Sequence, residues 1–295
     1  MKKRIFTGSG VAVVTHMYED GSLNYDELQR LINFQIDNDT DAIIICGTTG
    51  ESATLTEQEH LRCIETAVRT CEGRIPVVAG VGSNNSSHAL WLSKEAKAIG
   101  ADGLLHVTPY YNKTSQLGLI RHFNIMADAT DLPIIVYNVP SRTGLDIKPE
   151  TYKELSKHPN IVAAKEANGN ISSIAQTAWL CGDELDIYSG NDDQIVPILS
   201  LGGIGVISVL ANLLPRECHK ICELYLSGAP EASKIMQLKY LDLINALFSD
   251  VSPMPVKEAL LYMGFNVGGC RLPLVEMNKA AKLKLLELLR AHNLI

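Results

Sequence analysis

One lysine in this chain sits where its chemistry needs a reason. Residues 160–170 read NIVAAKEANGN. Ile161, Val162, Ala163 and Ala164 form a short apolar strand pattern bounded by Pro159-Asn160 and Asn168-Gly169, and Lys165 closes it. Two-residue alternation places Ile161, Ala163 and Lys165 on one face, where the small Ala163 leaves room beside the lysine stem. Lysine is among the residues least often fully buried. One account is a strand-end lysine that snorkels to water or pairs with Glu166. The other is deliberate desolvation: burial lowers an ammonium pKa by up to about 3–5 units, which leaves a neutral amine able to attack a carbonyl and form a Schiff base.

Other apolar runs also end in reactive side chains. CGTTGES at 46–52 sets Thr48 and Thr49 between glycines, in a turn whose backbone N–H groups can form an anion nest for a carboxylate. TPYYNK at 108–113 carries the adjacent Tyr110 and Tyr111. YNVPSRTG at 137–144 offers Tyr137 as a proton relay and Arg142, whose planar fork suits a carboxylate. Asp192 and Asp193 in YSGNDD read as caps of the following helix, and Ile207 in GVISV as a pocket wall. Each has a plain structural account as a tight turn, packing tyrosines or a salt-bridged arginine. Together they describe carbonyl activation of a small keto acid by imine formation. The protonated imine is an electron sink, so a neighbouring proton can leave and the resulting enamine can attack a second carbonyl.

Competing chemistries lack their motifs. The eight histidines show no H-x-x-x-H or H-E-x-x-H spacing, so no metal is expected. There is no Walker loop, no G-x-S-x-G elbow and no G-x-G-x-x-G opening a helix, so no cofactor is expected either.

The elements that must position these residues recur along the chain. Strand patterns run Gly10 to Val14, Ala42 to Cys46, Pro76 to Gly80, Gly103 to Thr108, Pro133 to Asn138, Ile161 to Glu166, Leu185 to Ser189 and Ile204 to Val209. Their continuous Val- and Ile-rich character suits parallel strands buried on both faces. Amphipathic patterns at Tyr25 to Asp37, Glu57 to Cys71, Ser87 to Ile99, Ser115 to Ala129 and Ile171 to Cys181 supply crossover helices, and Thr56 with Glu59 has the capping-box spacing. The expectation is an α/β fold, a (β/α)8 TIM barrel over residues 1–225 whose active site forms at the carboxyl ends of the strands. A C-terminal three-helix appendage over 226–295 follows, with helices near 230–248, 255–264 and 276–292.

The chain has 295 residues, 46% of them hydrophobic and 20% charged, with a net charge of −7. It has no basic run beyond Lys2-Lys3-Arg4 and few aromatics, which argues against nucleic acid as a partner. The first apolar stretch is broken by His16, Glu19 and Asp20, and no run reaches about 18 apolar residues, so neither a signal peptide nor a membrane span is expected. A cytoplasmic protein is the expectation. Seven cysteines without a C-x-x-C pair read as reduced thiols.

GTTGES at 47–52, TPYYNK, YNVPSRTG, KEANGN at 165–170 and GGIGVISV at 202–209 resemble, almost end to end, the 4-hydroxy-tetrahydrodipicolinate (dihydrodipicolinate) synthase family. The wider group, which includes N-acetylneuraminate lyase, shares the lysine, the tyrosine and the Thr-Gly-Glu turn, whereas Arg followed by Thr-Gly is typical of the synthase branch. The resemblance implies condensation of pyruvate with L-aspartate 4-semialdehyde, serving lysine and diaminopimelate synthesis. Lys165 would form the imine. Tyr137 would shuttle protons with Thr48 and with Tyr111 from a neighbouring subunit. Thr49 would receive the pyruvate carboxylate, Ile207 would line that pocket, and Arg142 would hold the semialdehyde. A homotetramer built from two tight dimers is the implied assembly. The alternatives are a retro-aldol lyase acting on a sugar acid and a catalytically silent binding barrel.

The resemblance also implies an effector site for lysine, matched here by Ser52, Ala53, His60, Asn84 and Tyr110. Glu57 stands where a histidine is frequent, and His88 where a glutamate usually receives the effector's ammonium, so weak or absent lysine inhibition is expected. His16 replaces a frequent proline near the barrel mouth, and its role is left open by the sequence.

Overall fold

The computed structural model describes residues 2–295. Eight parallel strands close into a barrel in chain order: β1 (Gly8–Ala12), β2 (Ala42–Ile45), β3 (Val77–Gly80), β4 (Gly103–Val107), β5 (Ile134–Asn138), β6 (Ile161–Glu166), β7 (Asp186–Ser189) and β8 (Gly205–Ser208). The helices are α1 (Tyr25–Asp37), α2 (Glu57–Cys71), α3 (Ser86–Ile99), α4 (Gln116–Ala129), α5 (Pro140–Thr143), α6 (Pro149–Leu155), α7 (Ile171–Cys181), α8 (Ile195–Leu199) and α9 (Pro215–Leu226). After them come α10 (Pro230–Lys239), α11 (Leu241–Leu247), α12 (Met254–Tyr262) and α13 (Lys279–Ala291). Side-chain caps begin several of the helices, among them Asn24 for α1, Ser115 for α4 and the full Thr56–Glu59 capping box of α2.

Strand alternation divides the core in two. Ile44, Leu105, Ile135, Ala163 and Ile207, from five different strands, meet in an inner cluster, whereas Ile43 and Ile45 face the helices with Leu28, Leu31 and Ile64. Each such leucine or isoleucine, fully buried, contributes about 1.5–3 kcal/mol. The closing seam is lined by glycine. Gly8 and Gly205 pair in register, and a Cβ on Gly205 would strike the Gly8 carbonyl oxygen.

Several expected boundaries move. β1 begins and ends two residues early because Val13 and Val14 run on past the sheet, although Val13 N–H still donates to Ile44 O at 3.2 Å. The β5–β6 pairing slips between Ile134 and Ile135, so one strand-six residue is skipped. Ile161 therefore joins the outer cluster and Val162 the inner one, while Ala163 and Lys165 keep their shared inward face. The connection from β5 to β6 contains α5 and α6, short proline-led helices with no long apolar period to announce them. The expected helix at 230–248 is broken at Tyr240 into α10 and α11, so four helices rather than three follow α9.

The C-terminal segment is tied back to the turn after β2. Lys257 on α12 and Glu51 form a buried ion pair at 2.8 Å, and the lysine also donates to Gly269 O. Arg271 donates its N–H to Glu51 and its guanidinium to Glu59, Gly21 O and Thr54 O. Removing one partner of a buried pair strands the other charge at a cost of about 3–5 kcal/mol. Lys257→Met should therefore lower the unfolding free energy by roughly that amount in urea titration, and adding Glu51→Gln should recover most of the loss. Equal stability of Lys257→Met and the parent chain would contradict this.

Candidate active site

Lys165 lies near the carboxyl end of β6, in register with Tyr137 on β5 and Tyr188 on β7. Only 6% of it is exposed, and its Nζ stands 4.2 Å from the centroid of the Tyr137 ring. Burial lowers its pKa to about 7; Asp192 works against that shift and Arg142 adds to it. Near neutrality about half of the amine is thus unprotonated, against on the order of one in a few thousand for an ordinary lysine. The snorkelling account of Lys165 does not hold, since its side chain is enclosed.

Burial pushes the Tyr137 phenol up to about 12, with Arg142 and a side-chain hydrogen bond to Thr48 pulling the other way. The phenol therefore stays protonated and can give or relay a proton without ionising in the resting state. Thr49, next to Thr48 in sequence, is buried within a turn closed by Gly50 N–H to Gly47 O and Glu51 N–H to Thr48 O. Among the described residues neither the Thr48 nor the Thr49 N–H has a protein acceptor, which leaves both available to an anion. Ile207 is buried in the inner cluster with Tyr137 and Ala163. Arg142, on α5, is exposed, and its Nη2 reaches Ser252 O at 3.4 Å.

Tyr111 is the outlier. It is 90% exposed with φ of +70°, so within a single chain its ring is not packed against the other candidates. A tyrosine in the left-handed region is strained.

A cleft of about 470 Å³ opens beside this group, and Thr48 and Arg142 line it together with Ser52, Ala53, His60, His88 and Tyr110. Asn84 adjoins it through Nδ2 to Tyr110 O at 3.2 Å. The residues matched to an effector site are thus brought together. Lys165 and Tyr137 do not line the cleft and communicate with it through Thr48 and Arg142. His88 Nδ1 and Glu57 Oε1 are 3.6 Å apart.

Neither Asp192 nor Asp193 caps a helix: the cap position before the short turn Asp192–Gln194 is Asn191 and that before α8 is Gln194, and the Asp192 carboxylate is buried, accepting from Val209 and Leu210 N–H. His16 is buried after β1, and among the described residues neither ring nitrogen has a partner. Burial, with Lys257 and Arg30 adding to it, depresses its pKa to about 3, so it is a neutral buried imidazole. No local pattern marks the pairing of Glu51 with Lys257, which are 206 positions apart.

Residues 5–292 match the model of the dihydrodipicolinate synthetase family. The chain is 60% identical over 275 residues to 4-hydroxy-tetrahydrodipicolinate synthase of Caldicellulosiruptor saccharolyticus, covering 93% of each chain. Among solved structures it is similar to the chloride-inhibited dihydrodipicolinate synthase of Acinetobacter baumannii complexed with pyruvate, at 38% identity and TM-score 0.97, over 99% of this chain and 100% of that one. The same values hold for the lysine-bound enzyme of Cyanidioschyzon merolae.

A lowered lysine pKa has a direct chemical readout. Brief treatment with formaldehyde and cyanoborohydride should methylate Lys165 ahead of the surface lysines, with a rate that rises with pH through a midpoint at about 7. Peptide mass spectrometry checks this, and reactivity of Lys165 that rises only near the ordinary value of about 10.4 would contradict it.

Proposed function

The chain belongs to the dihydrodipicolinate synthetase family and has the 4-hydroxy-tetrahydrodipicolinate synthase activity of its relatives, and we propose how its residues divide that work. The observation that carries the proposal is the buried, largely neutral amine of Lys165 held over the Tyr137 ring. That amine attacks the keto carbon of pyruvate. Water leaves as Tyr137 returns a proton, and a protonated imine remains. Loss of a methyl proton gives the enamine, whose carbon attacks the aldehyde of L-aspartate 4-semialdehyde. The substrate's amino group then displaces Lys165 from the imine carbon, which closes the ring and frees the lysine.

Thr49 and the free N–H groups of its turn receive the pyruvate carboxylate, and Ile207 walls the same pocket. Thr48 links Tyr137 to the cleft, where Arg142 takes the semialdehyde carboxylate. The pyruvate complex of the Acinetobacter baumannii relative supports the first substrate. Tyr111, exposed in one chain, completes the relay of a neighbouring chain, within a homotetramer of two tight dimers. Residues 226–295 act as an appendage that braces the barrel at Glu51 through Lys257 and Arg271. The enzyme works in the cytoplasm, a reading supported by the absence, among the described residues, of any helix long and apolar enough to cross a membrane.

Borohydride reduction in the presence of pyruvate should add one pyruvate-derived mass to Lys165. Arg142→Ala should leave that adduct nearly intact while lowering kcat/KM for the semialdehyde about ten- to a hundredfold, the equivalent of roughly 1.5–3 kcal/mol for a charge-assisted hydrogen bond. No adduct would remove the imine mechanism, and an unimpaired Arg142→Ala would favour the sugar-acid lyase reading.

The cleft formed by Ser52, Ala53, His60, His88, Tyr110 and Asn84 is the place for an amino-acid effector. Its one acid at the altered positions, Glu57, is not among the residues that line the cleft, and its Oε1 stands 3.6 Å from His88 Nδ1. L-lysine should therefore inhibit weakly, about ten- to a hundredfold less tightly than a site with an unpaired carboxylate. A coupled assay with added L-lysine checks this, and half-inhibition in the submillimolar range would contradict it.

A further inference from the structure

The carboxylate of Asp192 is an unassigned part of the chemistry around Lys165. The turn after β7 presses on the lysine stem: a Cβ built on Gly190 would stand 3.1 Å from Lys165 Cε. Two residues on, Asp192 is buried, and its Oδ2 accepts from Val209 N–H at 3.1 Å and Leu210 N–H at 2.9 Å, at the turn after β8. The Ser208 hydroxyl, which accepts from Ala211 N–H at 2.8 Å, also favours the charged form of this carboxylate. Oδ1 is buried and has no partner among the described residues.

A buried carboxylate with one unpaired oxygen is costly unless a cation answers it. The groups that bear on the pair can be named. Arg142 on α5 and Tyr137 on β5 act on Lys165, and Tyr188 on β7 is occupied by Phe6 O. Burial pushes the Asp192 carboxyl above its ordinary value, while Ser208, the Leu210 and Val209 N–H groups and the charge of Lys165 hold it down. Lys165 and Asp192 act on each other through space rather than as a direct ion pair, and burial keeps the thiols of Cys218 and Cys222 on α9 neutral. Lys165 is the cation among the groups acting on Asp192, and Arg142 stands on the exposed side of the site.

We propose that Asp192 is a positioning residue: anchored by Val209, Leu210 and Ser208, its carboxylate serves as the fixed counter-ion of the cation formed at Lys165 when pyruvate condenses with it. The inference rests on the imine mechanism proposed above. Condensation turns the neutral amine and the ketone into a neutral imine plus water, and one further proton, taken up from solvent through the Tyr137 relay, makes the imine nitrogen a cation that cannot leave the barrel. A fixed anion stabilises that state without reorganising. The same anion holds part of the resting amine protonated, so its presence trades nucleophile for a firmer iminium.

Asp192→Asn tests this, because the amide keeps an oxygen for the Val209 and Leu210 N–H groups and removes the charge. The acid limb of kcat/KM for pyruvate should move about one pH unit lower, as loss of a nearby opposite charge requires. The fraction of Lys165 trapped by cyanoborohydride at saturating pyruvate should fall severalfold. Loss of activity with the limb unmoved and trapping intact would mean a merely structural role and overturn the proposal. If Asp192→Asn does not fold, the parent chain supplies the answer. Cyanoborohydride reduces only the protonated imine, so trapping that persists to a pH well above about 7 supports the counter-ion, and trapping lost at or below that midpoint overturns it. Failure of the parent chain to trap pyruvate at any pH would instead sink the imine mechanism itself.

Discussion

Placing an amine inside a closed barrel removes it from water, and the rest of the site is organised around that desolvation. The charged form of Lys165 is penalised and the neutral form is the nucleophile, so the cost of burial and the gain in reactivity are one effect. The surroundings then limit how far the effect goes. Asp192 supports the cation, Arg142 opposes it, and the Tyr137 ring offers its face, leaving the pKa at about 7. Full neutrality would make an amine unable to hold an iminium, and full protonation would make no nucleophile at all. The barrel supplies what this balance needs: strands on both sides fix Lys165 in register with Tyr137 and Tyr188, so the amine cannot swing out to solvent.

Strain marks the same region. Cys46, Glu51 and Tyr111 all have positive φ, and none of them is glycine. A left-handed residue of this kind costs on the order of 1–3 kcal/mol and persists only where neighbours over-determine it. Cys46 and Glu51 bracket the Thr48-Thr49 turn, whose N–H groups must point away from their usual partners. Glu51 is held there by the buried ammonium of Lys257 and by Arg271 N–H, which supply the over-determination.

Much of this was legible in the sequence because it depends on local pattern. Eight apolar runs separated by amphipathic ones give the barrel and its order, and the barrel gives the face on which chemistry forms. Lys165, Tyr137, the Thr48-Thr49 turn and Arg142 could each be placed at a strand end for that reason. The parts that were not legible depend on distance in the chain. The slip between β5 and β6 moves Ile161 to the helix side, and only the paired strand reveals it. Asp192 reads as a helix cap from its neighbours alone, because its real partners, Val209 and Leu210, lie on the far side of a crossover. His16 has no motif, and what the fold adds is burial without a partner.

The longest-range dependence joins the C-terminal segment to the chemistry. In the proposed mechanism the pyruvate carboxylate sits at the Thr48-Thr49 turn; that turn ends in Glu51 in a strained conformation, and Glu51 is held by Lys257 on α12. Ser252, in the loop before α12, also accepts from Arg142, so the appendage touches both ends of the cleft. Arg271 closes the circuit by binding Glu59 in the capping box of α2, the helix that follows the turn, and lowers the Glu59 pKa to about 2. The C-terminal segment thus holds the Thr48-Thr49 turn and Arg142 relative to each other. The barrel sets where the amine is, and the helices after it set what the amine can reach.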